Sequence, residues 1–305
     1  MIFSKVKEVP SEPEDDDMHY FTEDARFREE SRIKVGVRVR PFNYREIDEA
    51  CDLVVDMDDS GKVNLDMNSV GKGTKSLAFD YTFWSFDGRK KKATQESLYD
   101  QIGFFISEAL SGYNCAIFTY GQTGTGKSYS LMGSMESQGI LYRGLQEFFW
   151  RQSQTKDTTT ELEISFLEIY NENVRDLLSF DNLKRLRVRI DKTEGMFVQG
   201  LAIKAVASYE QAKWLIDTGF RNRTVASTKM NTASSRSHCI FSMYIKSIVM
   251  KGDAKTLLET RTKIDLIDLA GSEKQSRMAA AGIRLREAGH INHSLTTLLN
   301  ISCPQ

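Results

Sequence analysis

The chain has 305 residues, with 41 Lys plus Arg against 42 Asp plus Glu, a net charge of −1 and 40% hydrophobic residues. That composition suits a globular fold with its own core and excludes a helical membrane protein, because no run of about 18 apolar residues occurs. The balanced charge excludes a generally basic nucleic-acid binder and leaves room only for a local basic face. Cys51, Cys115, Cys239 and Cys303 stand far apart with no CxxC pair. Neither a zinc site nor a disulfide framework is expected, and a reducing, intracellular compartment fits. Met1–Lys5 runs straight into acidic sequence, without the pattern of a secretory signal.

Residues 1–31 carry Glu12, Glu14, Asp15, Asp16 and Asp17 beside Pro10 and Pro13, then Glu23, Asp24, Glu29 and Glu30. So little apolar surface cannot offset the entropy of ordering, which predicts a disordered acidic extension. The folded part, residues 32–305, opens on Ile33, Val35, Val37 and Val39, whose period of two predicts a strand that Pro41 stops. Residues 51–86, broken by Gly61, Gly71 and Gly73, read as short strands and turns. Leu98, Ile102, Phe105, Ile106 and Ala109 then recur at helical spacing up to Gly112. Cys115–Tyr120 reads as a buried strand. Thr160–Ile169 and Ser237–Met250 read as strands. Between them Ser208–Gln211 forms a capping box that opens a helix to about Phe220. Ile264–Leu269 is a further buried strand, and Leu285, Ala288, Asn292, Leu295 and Leu299 trace one helix face. The predicted class is α/β, with a central mixed, mainly parallel sheet flanked by helices.

Gly121-Gln122-Thr123-Gly124-Thr125-Gly126-Lys127-Ser128 follows the predicted strand ending at Tyr120 and matches G-x-x-x-x-G-K-[ST] in full. The residue types answer a chemical need. Glycines let backbone N–H groups turn inward onto phosphate oxygens, and the next helix points its positive end the same way. Lys127 supplies charge to the β- and γ-phosphates, and the Ser128 hydroxyl can ligate Mg²⁺. A chance glycine-rich turn is the bland alternative. Asp268 ends a hydrophobic strand, where an acid reaches a metal shell, and Gly271 would admit a backbone N–H to the γ-phosphate. Alone, Asp268 also fits a cap or turn. Asn231–His238 packs serines, an Arg and a His before a strand. It reads either as a polar loop or as a γ-phosphate sensor.

Gly121–Ser128, Asn231–His238 and Asp268–Glu273, in that order, resemble the three nucleotide motifs of the kinesin motor domain. Val37–Pro41 resembles its adenine-side motif, and the resemblance covers about residues 32–301. Phe79–Trp84, Gly126–Tyr129, Glu168–Glu172 and Ala279–Gly282 are most similar to the third kinesin family, whose members carry vesicles. The resemblance implies an ATPase using ATP and Mg²⁺ against microtubules, in the cytoplasm and on the cytoskeleton. Arg38, Arg40 and Pro41 would flank the adenine from one side and Tyr129 from the other. Ser128 and Ser235 would hold Mg²⁺, with Asp268 behind a water. Asn231 would support the water network, Gly271 would bind the γ-phosphate in the ATP state only, and Arg236 and Glu273 would close an ion pair between the switch loops around ATP. His238 reads as a packed, neutral imidazole. Lys274, Arg277, Arg284 and Arg286, with Arg187 and Arg189, would meet the acidic microtubule surface. His293 stands where Lys is usual in the family.

The resemblance also implies segments beyond Gln305: a tubulin-gripping loop and helix, a further strand, a closing helix and a neck linker. In the family that strand lies inside the sheet beside the first strand. Its absence is expected to leave unpaired edges there. Two readings therefore stand: an ATP-driven motor seen as an incomplete chain, or a short or degenerate nucleotide- or microtubule-binding module without motility. A myosin is disfavoured by Ser237-His238 and Leu269-Ala270, and a small-molecule kinase has no use for Asn231–His238.

Overall fold

The computed structural model describes residues 2–6, 33–58, 61–68, 71–86, 92–155, 158–181, 184–191, 195–228, 236–251 and 256–273. In chain order they form β1 (Ile2–Val6), β2 (Ile33–Val39), α1 (Tyr44–Asp48), β3 (Val55–Met57), β4 (Lys62–Asp66), β5 (Thr74–Ala78) and β6 (Tyr81–Trp84). There follow α2 (Gln95–Ile102), α3 (Phe105–Leu110), β7 (Asn114–Thr119), α4 (Lys127–Met132), α5 (Ile140–Gln154), β8 (Thr158–Tyr170) and β9 (Asn173–Asp176). The last described elements are β10 (Arg185–Asp191), β11 (Gly195–Gln199), β12 (Lys204–Val206), α6 (Tyr209–Thr228), β13 (His238–Lys251) and β14 (Thr256–Asp268). The helix expected over Leu285–Leu299 lies outside the described residues.

The strands expected at Ile33, Cys115, Thr160, Ser237 and Ile264 are present. The single helix read over Leu98–Ala109 is two helices. Thr94 caps α2 by accepting the Ser97 N–H, and the helix ends as the Gly103 N–H turns back to the Tyr99 carbonyl. The box at α6 is offset by one residue: Ser208 accepts the Gln211 N–H, while the Gln211 side chain takes the Ala207 N–H. The helix then continues past Phe220 to Thr228.

One sheet runs in the order β11-β10-β9-β8-β13-β14-β7-β1-β2-β6, with β12 also on β8, and β3-β4-β5 forms a second, small sheet. The main sheet is mixed, as expected, but it is not mainly parallel. Among the described pairings only β7–β14 and β2–β6 are parallel. The reason lies in the connections. The short link from β13 to β14 can join only antiparallel neighbours. At the β8–β9 hairpin, Asn171 and Glu172 both adopt positive φ, 48° and 59°, the geometry of a tight two-residue turn.

The N-terminal expectation also needs correction. Ile2–Val6, read as part of a disordered extension, forms an internal strand between β7 and β2. The place expected to hold open edges is thus occupied, and the backbone groups of both neighbours gain partners. Residues 7–32 lie outside the described residues.

The core follows from period two across aligned strands. Ile117, Leu266, Phe241 and Phe166 pair side by side across β7, β14, β13 and β8, as do Cys115, Ile264, Met243 and Ile164. All eight are buried, and α2 through α6 pack on that face through residues such as Ile102, Ile106, Leu141, Leu145 and Ile216. The alternate positions Phe118 and Ile267 form a smaller cluster with Leu269 on the reverse face. Since β14 is parallel to β7, and both β2 and β7 are antiparallel to β1, the C-terminal ends of β2, β7 and β14 open on one edge. That edge is where ligands of open α/β sheets bind.

Candidate functional site

Residues Gly121–Ser128 join the end of β7 to the start of α4. Gly124 and Gly126 hold φ of 83° and 90°, which a side chain would strain, and Gly126 is the cap of α4. The loop is tied from several sides. Arg40 Nε donates to the Gly124 carbonyl at 2.7 Å, and Lys127 Nζ donates to the Gln122 carbonyl at 2.8 Å. Burial lowers the Lys127 pKa, while Asp268 and Glu273 pull against that shift. The Ser128 hydroxyl donates to Asp268 Oδ2 at 2.6 Å across 140 positions of sequence. Thr119 donates to the other carboxylate oxygen at 3.1 Å. Backbone bonds from Leu269 to Thr119 and from Ser272 to Gly121 zip the end of β14 onto the loop.

On the β2 side, Arg38 donates to Ser85 at 2.9 Å, Gln95 at 2.7 Å and Ser130 at 3.0 Å. Its guanidinium carbon lies 5.4 Å from the Tyr129 ring centroid. A base held between two groups needs about 7 Å, two van der Waals contacts in thickness. Arg38 and Tyr129 thus lie against each other, closer than a base held between them would require. Tyr129 remains 44% exposed. Arg40 grips Glu46 through both carboxylate oxygens, at 2.6 and 2.7 Å, and these bonds hold the Glu46 carboxyl down at about 2. Pro41 is exposed beside them.

Behind Asp268 lies a buried polar network whose pairing the motifs did not announce. Glu168 accepts from Arg175 at 2.5 Å, from Arg223 at 3.3 Å and from the Ser237 hydroxyl at 2.6 Å. Arg223 also donates to Ser237 at 3.2 Å and lies 3.7 Å from Asp268. One guanidinium from α6 thus touches the residue before β13 and the acid at the end of β14. His238 is buried, and its Nδ1 accepts the Ala270 N–H at 3.1 Å. Burial pushes its pKa down to about 4, so the imidazole is neutral, as its sequence position suggested.

Glu273 reaches back to the phosphate loop. Among the described residues its carboxylate binds Thr123, accepting the N–H at 2.9 Å and the hydroxyl at 2.5 Å, rather than pairing with Arg236. A loop whose N–H groups turn inward is suited to any anion, and this carboxylate is within reach. Burial works to raise the Glu273 pKa, and the two Thr123 bonds bring it below the ordinary carboxylate value. A Cβ on Gly271 would run into this carboxylate and the Thr123 hydroxyl. Arg236 is half-buried. Asn231 and Ser235 lie outside the described residues, as do Lys274, Arg277, Arg284 and Arg286. Arg187 and Arg189 are exposed on β10 at the far side of the sheet and take no part in this site.

The structure therefore brings Gly121–Tyr129, Arg38, Arg40, Asp268, Gly271 and Glu273 together at one sheet edge. Sequence reasoning missed Thr119, Gln95, Ser130, Glu168, Arg175 and Arg223. For Glu168 and Arg223 a signal existed: ionisable residues inside otherwise core-forming segments call for buried partners.

Residues 38–302 match the kinesin motor domain family. The chain is 40% identical over 284 residues to Kinesin-related protein 1 of Dictyostelium discoideum, an alignment taking 87% of this chain and 13% of that protein. It is 42% identical over 280 residues to Kinesin-like protein KIF13A of Homo sapiens, taking 88% of this chain and 16% of that one. The chain thus spans only a small part of the length of these relatives. A solved KIF14 dimer with AMP-PNP, in complex with a microtubule, is similar at a TM-score of 0.77 and 36% identity. That match covers 87% of this chain and 75% of the other.

Proposed function

The chain belongs to the kinesin motor-domain family, and from that premise we propose that it is the ATP-hydrolysing, microtubule-binding part of a motor. The observation that carries the reading is the 2.6 Å bond between Ser128 and Asp268, which joins the phosphate loop to the acid at the tip of β14. The KIF14 structure with AMP-PNP on a microtubule supports both the nucleotide and the track. The likeness to KIF13A supports the resemblance to the third, vesicle-carrying family. Association with the cytoskeleton follows from the same reading.

In this reading Gly121–Ser128 wraps the phosphates of ATP with backbone N–H groups, and Lys127 neutralises the β- and γ-oxygens. Tyr129 offers its open face to the adenine, with Arg40 and Pro41 at the other side of the base and Arg38 bracing the tyrosine. Ser128, Ser235 and Asp268 would hold Mg²⁺. The hydroxyl and carboxylate oxygens that meet beneath the loop are hard donors that suit such an ion. When bound, the ion supplies charge neutralisation at the phosphates. Gly271 lets its backbone N–H come near the γ-phosphate. A phosphate arriving at the loop competes with the Glu273 carboxylate for Thr123, and the released Glu273 pairs with Arg236. That pairing closes the switch loops, and Asn231 orients the attacking water.

The microtubule surface is acidic, and Lys274, Arg277, Arg284 and Arg286, with exposed Arg187 and Arg189, supply the complementary charge. ATP turnover by the purified chain, with and without polymerised tubulin, tests the proposal. Microtubules should accelerate phosphate release. Lys127→Ala should weaken binding of a fluorescent ATP analogue by at least about tenfold, the value of one charge-assisted contact. Unchanged analogue binding would remove the phosphate-loop assignment, and turnover indifferent to microtubules would remove the motor assignment.

A further inference from the structure

The strand Ile2–Val6 belongs to no nucleotide motif, yet it lies inside the sheet. On β7 its partners run from Ile2↔Phe118 to Val6↔Asn114, and on β2 from Ile2↔Val35 to Ser4↔Ile33. Both pairings are antiparallel, so β2 and β7 are parallel to each other through this strand alone. Among the described residues no other strand links β2 and β6 to the rest of the main sheet.

Ile2 faces Val35 on one side and Phe118 on the other, which sets these two residues level. From that level β2 runs on to Arg38 and Arg40, and β7 runs on to the loop that begins at Gly121. The 2.7 Å bond from Arg40 to the Gly124 carbonyl depends on that alignment. A slip of one residue would shift β2 by about 3.3 Å and turn Arg38 and Arg40 to the opposite face, away from Gln95, Ser130 and the loop. Val6 and Ile33 lie at the edge opposite the nucleotide site.

We propose that Ile2–Val6 is a built-in positioning strand, which fixes the register of β2 against β7 and so places Arg40 and Pro41 beside the phosphate loop. This rests on the nucleotide-site reading above for its functional consequence, but not for the strand's placement. Ser4 sits where β1 is paired on both sides. Ser4→Pro removes a ladder N–H, whereas Ser4→Ala keeps it.

Amide hydrogen exchange on the unmodified chain should show Phe3–Lys5 protected to the same degree as Ala116–Ile117. Exchange within seconds, as in a free tail, overturns the proposal. Ser4→Pro should bind the fluorescent ATP analogue at least tenfold more weakly at a temperature where it remains folded, with Ser4→Ala within twofold of the parent. Parental affinity in folded Ser4→Pro overturns the positioning role. If Ser4→Pro does not fold, a synthetic peptide of residues 1–8 added in excess must restore both its melt and its analogue binding, and failure to do so counts against the proposal. A parent chain that shows protected Phe3–Lys5 amides but binds no ATP analogue indicts the nucleotide reading and leaves the strand in place.

Discussion

Replacing Glu168 by Ala removes one carboxylate and strands three donors at once. Arg175, Arg223 and Ser237 all give hydrogen bonds to it, and all four residues are buried. Breaking a buried ion pair by removing one partner costs about 3–5 kcal/mol, because the remaining charge keeps its desolvation penalty. Two guanidiniums share the loss here, although Arg223 retains Asp268 at 3.7 Å. A domain's stability is only about 5–15 kcal/mol, so the change removes a large share of it. At about 2–4 °C per kcal/mol for a large domain, the melting temperature should fall by roughly 6–20 °C. Glu168→Gln retains an acceptor for Ser237 and Arg223 without the charge, and should fall by less. Circular dichroism melts of the parent and both variants measure the effect. A Glu168→Ala chain melting within 2 °C of the parent would refute the network as an anchor of the fold.

Two further outcomes are expected. His238 titrates near 4 when folded and near 6.5 when unfolded, so between those values the unfolded chain binds more protons. Its contribution is complete above pH 6.5 and is lost as pH falls toward 4, a span worth about 3 kcal/mol. Urea unfolding across this range should show the parent losing that stability relative to His238→Asn. A difference independent of pH would mean that the imidazole is not held neutral. Gly271→Ala meets only the mobile ends of Glu273 and Thr123, so its melt should stay within a few degrees of the parent. Hydrolysis should nevertheless drop by up to about a hundredfold, because the added Cβ crowds Glu273 and Thr123 and holds the N–H of residue 271 away from the developing charge. Parental turnover would remove Gly271 from the site.

Much of the fold was legible locally. The period of two in Ile33–Val39 and the apolar run Cys115–Thr119 depend only on near neighbours, and both became strands. The glycines at 124 and 126 announced left-handed backbone, because few other residues tolerate it. The N-terminal strand was hidden because five strand-forming residues were averaged into a long acidic segment whose composition argues against order. Ile2–Val6 is held by two neighbours that arrive much later in the chain. Sheet direction is hidden from the local sequence for a similar reason. Strands spaced among helices suggest crossovers, while the hairpins β8–β9 and β13–β14 dictate antiparallel pairing.

At the site, the sequence determined which chemical groups are available: a complete phosphate loop, an acid after a hydrophobic strand, and a glycine beside it. Those are properties of residue type and short spacing. Only the tertiary structure decided who meets whom. It set Ser128 on Asp268, Glu273 on Thr123, Arg38 against Tyr129 and Arg223 among Glu168, Ser237 and Asp268. A hydrogen bond extends about 3 Å, whereas these partners are separated by tens to more than a hundred positions along the chain. Their meeting depends on strand register and helix packing, which are long-range properties of the folded sheet.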